Sequence, residues 1–151
     1  MLDASNDAEN SFRALGEAMA TARIDLDCEL TIDPTPMITG ADHLAGSAWQ
    51  TGIARYADGT TAEVHFVKAI RTRDMSLDNK VYALLHPEFP RTSTGDQFYG
   101  ELDFEAYRRL GVQATRALLD DIAMRPAPPV TASGPVARTT DETAEPAAAI
   151  S

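Results

Sequence analysis

Residues 86–111 read HPEFPRTSTGDQFYGELDFEAYRRLG, and the rest of the chain is predicted to fold around them. Pro87 and Pro90 keep the backbone out of helix and remove two hydrogen-bond donors, so the stretch begins as a rigid, extended turn. The polar run 92–96 favours turns, because its side chains can hydrogen-bond to nearby backbone. Five of the nine Phe and Tyr residues lie here: Phe89, Phe98, Tyr99, Phe104 and Tyr107. A loop this rich in aromatic rings is expected to lie on an apolar surface, held there by the helix that follows it.

The same stretch resembles a segment found late in large bacterial patatin-like phospholipases. The similar residues are Phe89-Pro90, Ser93-Thr94, Asp96-Gln97-Phe98-Tyr99, Phe104-Glu105-Ala106-Tyr107-Arg108 and Leu110-Gly111. Shorter similarities continue upstream in the same order, so the resemblance covers roughly residues 3–115. The chain departs from the family's pattern at Ala69, where a proline usually follows the lysine, and at Arg91, where a histidine or a similar polar residue is common.

The catalytic motifs of that family do not occur in this sequence. Patatin-like enzymes use a serine in G-x-S-x-G, an aspartate in D-G-G/A and a glycine-rich oxyanion loop, all upstream of the matched portion. No serine here stands in G-x-S-x-G, and the Asp58-Gly59 pair is flanked by strand patterns typical of a hairpin. The resemblance therefore implies a non-catalytic C-terminal segment that supports the sheet and pocket of a lipid acyl hydrolase core. The alternative is a free-standing interaction protein that kept this segment and lost the hydrolase.

Six residues are candidates for lining a pocket or for structural support: Lys68, Asp96, Gln97, Tyr99, Tyr107 and Arg108. In the functional hypothesis they shape or close a lipid pocket, and Lys68 contacts an acyl or phosphate oxygen. In the structural hypothesis, Asp96 and Gln97 bond to loop amides and Tyr107 and Arg108 hold the loop to the helix. Lys68 then lies at a strand end with its ammonium in solvent.

The sequence predicts neither a cofactor nor a metal site. His43, His65 and His86 lie in separate predicted elements without the spacing of metal ligands. The single cysteine, Cys28, falls on the apolar side of a predicted strand, which favours a buried core residue over a nucleophile.

Composition and charge limit the kinds of partner and the cellular location that are expected for this chain. The 151 residues suit one domain, predicted as a folded α+β segment over residues 1–125 and a disordered tail over 126–151, rich in Pro, Ala and Thr. A net charge of −10 argues against nucleic acid or anionic membrane as a partner. No apolar run is long enough to cross a bilayer, and the polar N-terminus is unlike a signal peptide, so the expectation is a cytoplasmic protein.

Periodicity predicts a small α+β fold, in which one strand and a β-hairpin pack with two main helices. The first helix is expected at about 8–23 and the strand at 24–33, where apolar and acidic residues alternate. The hairpin is expected at 49–56 and 61–70, with a type I′ turn at Asp58-Gly59. A short helix follows through Leu77, Val81, Leu84 and Leu85.

The longest helix is expected to be capped by Asp103 and to end near residue 124. Gly111 interrupts it at a cost of ~1 kcal/mol relative to Ala, which suggests close packing or a bend. The strand edge near the N-terminus and the surface beneath the aromatic loop are expected to be left uncovered, so that the chain binds a patatin-like catalytic domain or associates with itself.

Overall fold

The computed structural model of the chain describes residues 1–3, 10–92 and 99–126. The strands are β1 (Leu2–Asp3), β2 (Cys28–Thr31), β3 (Trp49–Tyr56) and β4 (Thr61–Lys68). The helices are α1 (Arg13–Leu26), α2 (Leu77–Leu85) and α3 (Glu101–Met124), and a short 3₁₀ turn covers Thr35–Met37. This arrangement confirms the α+β fold class. The predicted tail lies outside the described residues, apart from Pro126.

Within the described residues the sheet has the strand order β1-β4-β3-β2. The hairpin forms the centre, where Arg55 pairs with Thr61 and Trp49 with Val67. β2 runs antiparallel to β3 on one side, and β1 runs parallel to β4 on the other, with Leu2 opposite Val67. The hairpin is therefore paired on both of its outer edges, but β1 covers only the last two residues of β4.

The sheet is covered on both faces, because successive residues of a strand point to opposite sides. Phe66 is fully buried and joins the cluster that Phe12 and Leu15 form with the strands on the α1 side. Its neighbour Val67 packs with Ala114 and Leu118 of α3 on the other face. Both faces of the hairpin are therefore covered.

The predicted strand 24–33 is wrong in its first half. α1 continues to Leu26 and stops at Asp27, which adopts a left-handed conformation with φ 46° and donates its N–H to the Ala22 carbonyl. Aspartate tolerates that conformation better than most residues do. Ile24 and Leu26 therefore belong to the helix and lie exposed, while Cys28 is buried as predicted.

The start of α1 and the turn of the hairpin also differ from the predictions. α1 begins at Arg13, later than the expected residue 8, and residues 4–9 lie outside the described ranges. In the turn, only Gly59 has a positive φ, at 82°, whereas a type I′ turn needs two such residues. The Asp58 carboxylate instead accepts hydrogen bonds from the Thr60 amide and hydroxyl at 2.9 and 2.6 Å.

α3 begins at Glu101 and ends at Met124, so its predicted end is confirmed. The prediction that the helix starts with Asp103 as its cap is wrong, because Gly100 stands at the N-cap and Asp103 is the third helical residue. The Asp103 carboxylate accepts a 2.8 Å hydrogen bond from the Gly100 amide. Of the two alternatives for Gly111, close packing is wrong, because no heavy atom of a neighbouring residue lies within 4 Å of where its Cβ would stand, and the bend stays a prediction.

The short helix α2 forms as predicted, but its leucine stripe faces outward. Leu77, Val81, Leu84 and Leu85 are 47 to 80% exposed. The side chains that α2 buries are the small ones, Asn79 and Ala83. We call the exposed set Leu77, Val81, Leu84 and Leu85 the leucine face. Ser76 stands at the N-cap of α2 but makes no capping hydrogen bond with its side chain.

Gly52 is the glycine that the sheet depends on. A Cβ there would stand 2.3 Å from both the Thr31 carbonyl oxygen and the Ile32 Cγ1, closer than real contacts allow. We expect Gly52→Ala to lower the free energy of unfolding by about 1–3 kcal/mol, since the backbone of the neighbouring strand must shift. Chemical denaturation measures the change.

The matched control is Gly111→Ala, which adds the same methyl group where no neighbouring residue crowds it. In the helix interior that change should raise the free energy of unfolding by up to ~1 kcal/mol. Equal effects of the two substitutions would contradict the close approach of β2 to β3 at Gly52.

Candidate functional site

The turn after α2 is held in place by Arg71. Its guanidinium donates hydrogen bonds to the carbonyl oxygens of Pro87 and Phe89. The two bonds satisfy carbonyl groups in a turn where Pro87 and Pro90 themselves have no N–H to donate. These bonds hold Phe89 in a buried position, in which the residue is 1% exposed.

Aromatic rings pack around Phe89 in a connected series. Tyr82 meets Phe89 edge to face at 5.1 Å between centroids, and Phe89 meets Tyr107 in the same way at 4.9 Å. His86 stacks on Tyr82 at 4.1 Å, with the ring planes 16° apart. Tyr99 stands perpendicular to Tyr107 at 6.0 Å. Edge-to-face and stacked pairs of this kind add about 0.5–1.5 kcal/mol each beyond the area they bury.

Hydrogen bonds join these rings to α3 and to the turn. The Tyr82 hydroxyl donates to Asp103 Oδ1, and the other oxygen of that carboxylate accepts from the Gly100 amide. Both bonds lower the pKa of Asp103, the tyrosine bond more. Burial, and next the carboxylate, raise the pKa of Tyr82. The Tyr107 hydroxyl lies 2.6 Å from the Thr92 hydroxyl and accepts from the Thr92 amide at 3.3 Å.

These residues enclose a cavity of about 160 Å³, which we call the tyrosine cavity. Its aromatic wall consists of Tyr82, Tyr99, Tyr107 and His86, and Thr92 lies between them. The carboxylates of Glu88 and Asp103 complete the lining, and no described lysine or arginine belongs to it. The cavity can therefore hold a polar or cationic group, since it offers acceptor oxygens beside ring faces.

A buried ion pair joins Lys68, at the end of β4, to Asp3 of β1. The Lys68 ammonium is 2.7 Å from Asp3 Oδ2, and the two side chains are only 4 and 9% exposed. The pair joins β1 to the end of β4 in the region of the sheet where they run parallel. The hypothesis that Lys68 extends its ammonium into solvent is wrong, because Asp3 provides a buried counter-charge.

A second cavity, of about 180 Å³, opens between this ion pair and α3. Leu110, Gly111 and Ala114 form its helical side, and Leu2 and Val67 its sheet side. Tyr107 lines this cavity as well as the tyrosine cavity. The Gly111 position opens onto it, which accounts for the space around that glycine.

The structure brings together some of the six candidate residues and separates others. Tyr99 and Tyr107 both line the tyrosine cavity, and Lys68 and Tyr107 both line the second cavity. Tyr107 holds the segment at Thr92, which agrees with a structural role. Arg108 lies elsewhere, exposed and paired with Glu105 on its own helix. Asp96 and Gln97 lie outside the described residues.

Sequence reasoning found only Tyr99 and Tyr107 among the seven residues that line the tyrosine cavity. Asp103 was assigned only as a helix cap, and the other four were not assigned to a pocket: Tyr82, His86, Glu88 and Thr92. The four-residue spacing of Tyr82 and His86, which places both on one side of a helix end, was the available signal. The contact between Tyr82 and Asp103, 21 residues apart, had no local signal.

Other kinds of site find no support in the structure. Within residues 1–3, 10–92 and 99–126, no group of three or more His, Cys, Asp and Glu side chains could hold a metal ion. No helix in those ranges is long and apolar enough to cross a membrane.

Comparisons of this chain with models of protein families, with curated proteins and with solved structures found no match. The patatin-like resemblance therefore stays a hypothesis carried by the sequence motifs.

The raised pKa of Tyr82 predicts a loss of stability at alkaline pH. Because the folded protein favours the neutral phenol, the stabilisation is complete below the ordinary tyrosine pKa of about 10 and decreases as the pH rises through the folded value. Urea denaturation across this range should show the free energy of unfolding falling more steeply for the wild type than for Tyr82→Phe. In contrast, Tyr56→Phe, on the exposed hairpin, should keep the wild-type slope. If Tyr82→Phe also keeps it, the phenol is neither buried nor bonded to Asp103 in solution as it is in the structure.

Proposed function

We propose that this chain is a non-catalytic segment that packs against a lipid acyl hydrolase core of the patatin-like type and supports its sheet and pocket. The observation that carries the proposal is the leucine face of α2. Four large apolar side chains on one side of a nine-residue helix lie in solvent. Full burial of an exposed side chain of this kind contributes about 1.5–3 kcal/mol and these are partly exposed, so covering each contributes part of that amount.

The edge of the sheet gives a second argument. β1 pairs with β4 in parallel, and within the described residues no strand lies beyond it. β1 is therefore an edge strand of a mixed sheet in the part of the chain that the structure describes, and an edge strand is a template for pairing with another chain. A further parallel strand from a partner can pair with the outer edge of β1.

The chemistry of the chain agrees with a supporting role. The sequence has no G-x-S-x-G serine, and an unactivated serine hydroxyl is a weak nucleophile. The groups that line the tyrosine cavity are hydrogen-bonded to one another through Tyr82 with Asp103 and Tyr107 with Thr92. They are arranged for binding and for holding the fold, and contain no serine or cysteine.

A free-standing interaction protein is the second candidate, and the same leucine face favours it. In that case the face binds a second copy of the chain or an unrelated protein. The two candidates differ in one measurable respect, which is whether this chain restores a hydrolase that lacks the corresponding segment.

The test uses a patatin-like phospholipase from which the segment that resembles residues 3–115 has been removed. We expect the truncated enzyme and this chain each to be inactive on a p-nitrophenyl ester, and their mixture to hydrolyse it. Leu84→Glu in this chain should reduce the restored rate at least tenfold, because it places a charge in the proposed interface. Leu119→Glu changes another large exposed leucine, on α3, and should leave the rate unchanged.

Three results would contradict the proposal. The first is ester hydrolysis by this chain alone that is lost when one of its serines is mutated. The second is a mixture that stays inactive although both components are folded by circular dichroism. The third is restored activity that Leu84→Glu and Leu119→Glu affect equally. A stable homodimer that Leu84→Glu dissociates, together with an inactive mixture, would favour the free-standing protein.

A further inference from the structure

We propose that the tyrosine cavity binds a small organic cation through a guanidinium group. This inference is independent of the proposed function, because it rests on the lining of one cavity and not on any partner. At about 160 Å³ the cavity resembles in size engineered cavities that admit a molecule as large as benzene.

The charge of the lining selects a cation. Glu88 and Asp103 both contribute carboxylates, and their charges are not balanced by a lysine or arginine among the described lining residues. Arg71 lies outside the lining and offsets part of the charge of Glu88, but its hydrogen bonds go to the carbonyls of Pro87 and Phe89 and it borders a different pocket, so it does not fill the cavity. The whole chain carries a net charge of −10, which adds a long-range attraction for a positive ligand.

The aromatic residues select the shape of that cation. Tyr99 and Tyr107 stand at 88° to each other with centroids 6.0 Å apart, so they form two walls of a corner. Tyr82 also lines the cavity, backed by the stacked ring of His86. A flat guanidinium can lie against such a ring by stacking and cation–π attraction, which a compact ammonium does less well.

The acceptor oxygens favour a ligand with several N–H donors. Asp103 uses one site on each oxygen for Tyr82 and Gly100, and a carboxylate has about four lone-pair sites in all. Glu88 is exposed and its side chain makes no hydrogen bond within the described residues, so its carboxylate can receive the forked donors of a guanidinium. Thr92 and Tyr107 add hydroxyl oxygens to the lining.

The experiment compares methylguanidinium with its neutral isostere methylurea on the full-length chain. Fluorotyrosine labelling gives four ¹⁹F signals, since the chain has four tyrosines, and tyrosine-to-phenylalanine variants assign them. We expect methylguanidinium to shift the signals of Tyr82, Tyr99 and Tyr107 with a dissociation constant on the order of 1–10 mM, as suits about five heavy atoms in a partly solvated site. Tyr56, on the hairpin and outside the cavity, serves as the internal reference.

The matched variants are Glu88→Gln, in the turn after α2, and Glu101→Gln, at the start of α3, and each removes one carboxylate charge. Only Glu88 lines the cavity, so Glu88→Gln should weaken binding at least threefold and Glu101→Gln should not, at constant ionic strength. Tyr99→Ala, which removes the exposed wall, should weaken it as well.

The proposal is overturned if methylurea produces the same saturable shifts, or if methylguanidinium shifts the Tyr56 signal as much as the others. Tetramethylammonium is a cation without an N–H donor. If it binds with equal affinity, binding depends only on the positive charge of the ligand, and the assignment of a guanidinium is refuted. Absence of saturation up to about 50 mM, with all four signals of a folded protein present, would refute any cation site there.

Discussion

The position of α2 depends on the turn that follows it. Arg71 holds this turn by hydrogen bonds, and the Phe89 ring fills its interior. Arg71 donates to two carbonyl groups of the turn, and Phe89 occupies the space between Tyr82 and Tyr107. With the end of α2 fixed in this way, its small side faces α3. The Asn79 amide then donates to the Ala106 carbonyl at 3.2 Å, and Ala83 packs beside it. A helix that buries its asparagine and alanine against a neighbour must present its leucines to the opposite side.

α3 connects this arrangement to the sheet. Its residues Ala106 and Leu110 pack with Phe89, while Ala114 and Leu118, two and three turns on from Ala106, pack with Val67 of β4. Tyr107 lies between these contacts and lines a cavity on each side. The charged pair of Lys68 and Asp3 borders one cavity, and the acids Glu88 and Asp103 border the other. A substitution of Tyr107 therefore alters the packing of the turn and also the packing at the end of the sheet.

The sequence predicted the elements with strong local signals. The hairpin follows from two alternating runs around Asp58-Gly59, and Cys28 is buried because it lies on the apolar side of its strand. The alternation of Ile24 and Leu26 favoured a strand, yet α1 extends through both, since a short period-two pattern cannot show where a helix stops. The leucines of α2 have the spacing of a core-facing stripe, and only the packing of Asn79 and Ala83 against α3 reveals that they face solvent.

The candidate site could be predicted only where its residues are near one another in the chain. Tyr99 and Tyr107 belong to one aromatic segment and were found, whereas the Lys68–Asp3 pair spans 65 residues and was not. Tyr82 reaches Asp103 across 21 residues because the turn reverses the chain between two helices. Such contacts are consequences of tertiary packing, so the polarity of the cavity became apparent only in the structure.

The central claim is that this chain folds with a large apolar face left open for a partner. The most direct measurement is the binding of an environment-sensitive apolar dye to the isolated, folded chain and to a variant with Leu77→Gln, Val81→Gln, Leu84→Gln and Leu85→Gln. The account predicts strong dye fluorescence with the wild-type chain and loss of most of it in the variant, at unchanged helical circular dichroism. A folded, monomeric wild-type chain that binds no dye, or a folded variant that binds as much dye as the wild type, would contradict it.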